Sequence, residues 1–89
     1  MSTFKTDDGD DISPALTRAA RMLVGWHQSE LAQAAGVAKS TLTDFERGAR
    51  IPILNNRRAI RRALEAAGVT FVTDPAMGTG VVYRAPDQA

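Results

Sequence analysis

The chain has 89 residues, 44% of them hydrophobic and 24% charged, with a formal charge of +1 and no cysteine. That length supports one domain with a small core. The lack of cysteine excludes disulfides and thiolate metal sites, and His27 with scattered carboxylates does not make a structural zinc site. No apolar run approaches the roughly 20 residues that span a bilayer, and the start of the chain lacks a charged-then-apolar secretory pattern. A cytoplasmic protein with no membrane partner and no cofactor is expected.

The net charge hides a segregation. Residues 1–12 carry one Lys against four Asp, net −3, and residues 13–68 carry nine Lys/Arg against four Asp/Glu, net +5. Residues 69–89 carry Arg84 against Asp74 and Asp87, net −1. A basic middle fits a nucleic-acid binder better than the total does.

In chain order, residues 1–12 hold Asp7, Asp8, Asp10 and Asp11 with little to bury, and read as a disordered acidic arm. Residues 13–68 read as a helical domain. Ser13-Pro14 is a helix start, a hydroxyl cap followed by Pro at the first position. Leu16, Ala19, Ala20 and Leu23 then recur at helical spacing as a buried stripe, and Gly25 ends the helix. Trp26 reads as a plug over the helix junction. A second short helix carries apolar Leu31, Ala32 and Ala35 and stops at Gly36. A third begins near Lys39, buries Leu42 and Phe45, and ends at Gly48. The small Ala32 allows two steeply crossed helices to approach closely. Asn55-Asn56 can start a fourth helix with Ile60, Ala63, Leu64 and Ala67 inward and Arg57, Arg58, Arg61 and Arg62 on its other faces. Gly68 caps it. Residues 69–89 read as two β-strands, Val69 to Thr73 and Val81 to Arg84, around a Pro/Gly turn, then a loose tail.

The run Gln28, Glu30, Leu31, Ala32, Gly36, Leu42, Glu46 and Gly48 resembles the Cro/lambda-repressor-type (XRE-like) helix-turn-helix family, and the likeness extends more loosely from about Leu16 to Val69. It implies a mainly α fold, a four-helix lambda-repressor-like domain, here followed by a short C-terminal β-hairpin. It also implies a sequence-specific DNA-binding regulator whose second motif helix lies in the major groove. By family position Lys39, Ser40 and Asp44 read base edges with Thr43 beside them, chemistry that suits guanine, thymine and cytosine edges. Gln28, at a helix N-terminus, takes a phosphate role, and Thr41, Arg47 and Arg50 are placed for the backbone. Arg21 and Glu46 match an internal ion pair. Three positions depart from the family pattern: His27 and Ala38, where relatives have Ser or Thr caps, and Arg57, where they often have Leu. Ile53 or Leu54 is expected to fill the space left at Arg57.

An isolated hairpin is marginal in water, so the C-terminal strands need a surface. The economical answer is a homodimer, with Phe71, Val82 and Tyr83 in a sheet shared between two copies. Whether the strands pair within or between subunits stays open. The leading expectation is a dimeric regulator, a repressor, on double-stranded DNA with a pseudo-palindromic operator. The alternative is a helix-turn-helix module that grips another regulatory protein as an antiactivator or antitoxin. No spacing suggests a nucleophile with its base, a phosphate loop or a metal cluster, so an enzyme is not expected.

Overall fold

In the computed structural model, which describes Lys5–Thr6 and residues 12–88, the order is β1 (Lys5–Thr6), α1 (Pro14–Val24), α2 (Gln28–Ala35), α3 (Lys39–Glu46), α4 (Leu54–Ala66), β2 (Val69–Asp74) and β3 (Gly78–Tyr83), closed by a 3-10 turn at Pro86–Gln88. The local chemistry explains the boundaries. Ser13 Oγ accepts from the Leu16 N–H at 3.0 Å, with Pro14 as the first helical residue of α1. At the turn between α2 and α3, Gly36 has φ +71°, a conformation that costs other residues strain. The Val37 N–H there returns to the Ala32 carbonyl at 3.0 Å. Glu30 reaches back to accept from the His27 N–H at 2.8 Å, which offsets a weak cap residue. Ala38 provides no side-chain cap to α3.

The core joins the four helices to the hairpin. Leu31, Leu42, Phe45, Ile60, Leu64 and Phe71 are all buried, with the small Ala20 and Ala32 buried among them. Leu42 and Phe45 fix the inner face of α3, and truncating either to Ala costs about 2–5 kcal/mol. Ile12 also packs in this cluster, so the chain enters the core one residue before Ser13, still within the stretch expected to be an arm. In α1 the buried side chains are Thr17 and Ala20, with Leu16 and Val24 packed alongside, while Ala19 and Leu23 are exposed. The expected stripe holds at Leu16 and Ala20 and is widened by Thr17 and Val24 in place of Ala19 and Leu23. Thr17 tolerates burial because its hydroxyl donates to the Ser13 carbonyl at 2.8 Å.

Arg61 is the second correction. It is 5% exposed and faces inward, not on the faces turned away from the buried stripe. Its guanidinium lies 4.9 Å from the Phe71 ring centre and pairs with Glu65 at 3.1 Å. Ile53 and Leu54 do not fill space beside Arg57; both are exposed, and Arg57 instead donates to the Pro52 carbonyl.

The strands β2 and β3 pair with each other, antiparallel, from Val69↔Tyr83 to Asp74↔Gly78, so this pairing is made within the chain. Buried Asp74 holds the connecting turn by accepting from the N–H groups of Ala76 and Met77, each at 2.8 Å. At the other end Gly68 has φ +114°, and a Cβ built there collides with the Arg84 carbonyl. Only glycine lets α4 hand over to the hairpin at this distance. Lys5 and Thr6 pair with Thr73 and Val72, giving a three-stranded sheet in the order β1-β2-β3. For those two residues the structure departs from the expected arm; residues 1–4 and 7–11 lie outside the described residues.

Candidate nucleic-acid interface

The motif is built on Glu46, the last residue of α3 and 2% exposed. Arg21 of α1 meets its carboxylate with both prongs, Nε to Oε2 at 2.8 Å and Nη2 to Oε1 at 2.9 Å. The third Arg21 donor, Nη1, reaches the Trp26 carbonyl at 2.9 Å. A forked guanidinium–carboxylate contact fixes orientation as well as distance, so α1 sets the angle at which α3 leaves the body. Arg18, one turn before Arg21, donates to the Glu46 backbone carbonyl and satisfies one of the open acceptors at the end of α3. Sequence reading missed Arg18. Its signal was the i, i+3 spacing to Arg21, which puts both on one helix face.

Gln28 joins the same network. Its Nε2 donates to Glu46 Oε1 at 3.0 Å, and its Oε1 accepts from the Thr43 hydroxyl at 3.0 Å. Both ends of this side chain are thus held by protein groups and not turned outward. Thr43 is likewise half-buried and turned toward α2 rather than fully outward. The two residues form a polar clamp between α2 and α3, on the wall of a cleft also lined by Arg18, Arg21, Glu46 and Arg47.

The outer edge of α3 carries the remaining candidates. Lys39 and Ser40 at its first turn are exposed, Thr41 and Asp44 are half-buried, and Arg47 just past its end is exposed. Residues 40, 44 and 47 share a face by helical spacing, opposite the buried Leu42, Phe45 and Glu46. Asp44 accepts from Arg47 Nη2 at 3.1 Å, so the one carboxylate on this edge is matched by a cation on the next turn. The Asp44 carbonyl accepts from the N–H groups of Ala49 and Arg50 at 2.8 and 3.3 Å, folding the loop so that exposed Arg50 follows directly on the helix. The dimer candidates are dispersed. Phe71 is 1% exposed within this chain's own core, Tyr83 is half-buried and Val82 is 52% exposed. Phe71 is thus removed from any shared surface, because it pairs with Val81 inside the hairpin and lies under Arg61.

Two short helices meeting at a glycine turn, the second braced by a buried ion pair and presenting a polar edge, define a helix-turn-helix domain. A family model described as Helix-turn-helix matches residues 18–65, more than half of the chain. The chain belongs to that family, the XRE type that includes Cro and lambda repressor, and is a DNA-binding helix-turn-helix regulator. A search of curated proteins gives no match. Among the described residues no helix is long and apolar enough to cross a membrane.

Proposed function

We propose that this chain is a transcriptional repressor that binds a pseudo-palindromic operator as a homodimer in the cytoplasm. The observation that carries the reading is the division of α3: Leu42, Phe45 and Glu46 are buried while Lys39, Ser40 and Arg47 stand in solvent. A helix held on one side and polar on the other fits a major groove. Lys39, Ser40 and Asp44 choose the bases, with Thr43 and Gln28 setting the position of the edge. Arg47, Arg50, Thr41 and the amide end of α2 at Gln28 fix the register on phosphates. Two such helices related by a two-fold axis enter successive grooves about 34 Å apart. No reaction is required of any side chain.

A second reading, a module that grips another regulatory protein, draws on Ile51 and Ile53, which are 77% and 68% exposed beside the motif. One experiment separates the two. Fragments bound by the purified protein are selected from random duplex DNA, and the selection is repeated with Lys39→Ala. The repressor reading expects an inverted repeat from the natural chain and a relaxed base preference from the variant, worth about 1–3 kcal/mol at that position. No enriched sequence, with capture of a regulatory protein that depends on Ile51 and Ile53, favours the second reading.

A further inference from the structure

A second concavity, of about 390 Å³, opens where α3 runs into the loop toward α4. It shares no lining residue with the cleft of Arg18, Arg21 and Gln28. Its walls are apolar: Ile12 and Pro14 at the entry to α1, Phe45 from α3 and Ile51 from the loop. Arg50 and Arg57 stand among them, and among the described residues no carboxylate lines it. The sequence around it has the same bias. From Gly48 to Leu64 the chain carries Arg50, Arg57, Arg58, Arg61 and Arg62 and no Asp or Glu.

Local structure brings the two cations to the cleft. The Asp44 carbonyl holds the Arg50 N–H at 3.3 Å and so fixes the start of the loop. Arg57, in the first turn of α4, donates to the carbonyl of buried Pro52 and is thereby tied to the loop beside Ile51. Neither Ile53 nor Leu54, the residues expected to fill space at Arg57, lines the cleft. Ile51 is 77% exposed at its wall, an apolar side chain with most of its surface still to cover.

A concavity of this size, mostly apolar with a few convergent polar groups, has the make-up of a small-molecule site. Here the polar groups are guanidinium ions, whose forked donors match a carboxylate. We propose that the cleft binds a small carboxylic acid with an apolar body, the size of a medium-chain fatty acid. Its carboxylate lies on Arg50 and Arg57 and its tail between Pro14 and Ile51. Arg50 is also one of the cations assigned to phosphates above, so an occupied cleft withdraws it from DNA. That consequence rests on the operator-binding reading; the site itself does not.

Octanoate is the probe, with octanamide as its neutral counterpart. A ligand of this size reaches a dissociation constant of about a millimolar, which suits a titration of the full chain, without DNA, followed by backbone amide shifts. Octanoate is expected to move the amides of Gly48, Arg50 and Ile51 saturably and to bind about tenfold more tightly than octanamide. Arg50→Gln is expected to weaken octanoate about tenfold and Ile51→Ser about threefold. Both side chains are exposed, so both variants keep the fold. No saturable shift at these amides, equal binding of octanamide, or undiminished binding by the two variants overturns the site. So does the same set of shifts on raising the protein concentration alone, the signature of a second copy in the cleft. In a separate titration at constant ionic strength, saturating octanoate is expected to weaken binding to a selected duplex several-fold. Unchanged DNA affinity there overturns the withdrawal of Arg50.

Discussion

Removing the Glu46 carboxylate tests the brace under the recognition helix. In Glu46→Ala the Arg21 guanidinium loses two contacts of 2.8 and 2.9 Å, and Gln28 Nε2 loses its acceptor. Breaking one partner of a buried pair costs about 3–5 kcal/mol, chiefly through the charge left behind. Arg21 is 14% exposed and keeps the Trp26 carbonyl, so the lower end, about 3 kcal/mol, applies. Against a net stability of about 5–15 kcal/mol this is a large fraction. It corresponds to a fall in Tm of about 12–24 °C in a domain of this size. Urea unfolding followed by far-UV circular dichroism gives the loss, and Trp26 fluorescence reports the same site locally. The double variant Arg21→Met with Glu46→Met removes both charges and is expected to lose less than Glu46→Ala alone. A loss below about 1 kcal/mol for Glu46→Ala, or simple additivity in the cycle completed by the single variants Arg21→Met and Glu46→Met, refutes the reasoning.

Ala38→Ser supplies the hydroxyl that α3 lacks at its start, and chemical denaturation is expected to show a gain of about 1 kcal/mol. Gly68→Ala places a Cβ against the Arg84 carbonyl at φ +114°, and thermal melting should reveal a loss of about 2 kcal/mol or more. Arg47→Ala removes an exposed cation from the edge proposed to face DNA. Titrations on several unrelated duplexes should show a similar weakening for all of them and a salt slope shallower by about 2, one contact being lost from each subunit.

The helices were legible because their punctuation is chemical: Ser13-Pro14 opens α1, Gly36 turns the chain, and Gly68 releases it into the hairpin. These signals depend on neighbours in sequence. Burial depends on neighbours in space, and there the sequence was less direct. Leu23 looks like core by composition and is exposed, while Thr17 takes a core position because its hydroxyl finds the Ser13 carbonyl. Arg61 looks like surface, yet an aromatic ring on β2 and Glu65 one turn away give its charge partners inside. At the site, the spacing of Arg21 and Glu46 carried no hint of contact by itself; family position pointed to the pair that the structure places at 2.8 Å. The clamp of Gln28 on Thr43 spans 15 residues and two helices, a distance over which residue type alone says nothing.

The salt dependence of DNA binding bears most directly on the account. With Arg47 and Arg50 of each of two subunits on phosphates, log K for a selected duplex should fall against log salt with a slope of about −4. A binding curve that does not move between low and physiological salt, or no saturable binding to any duplex, contradicts the assignment of α3 to the groove.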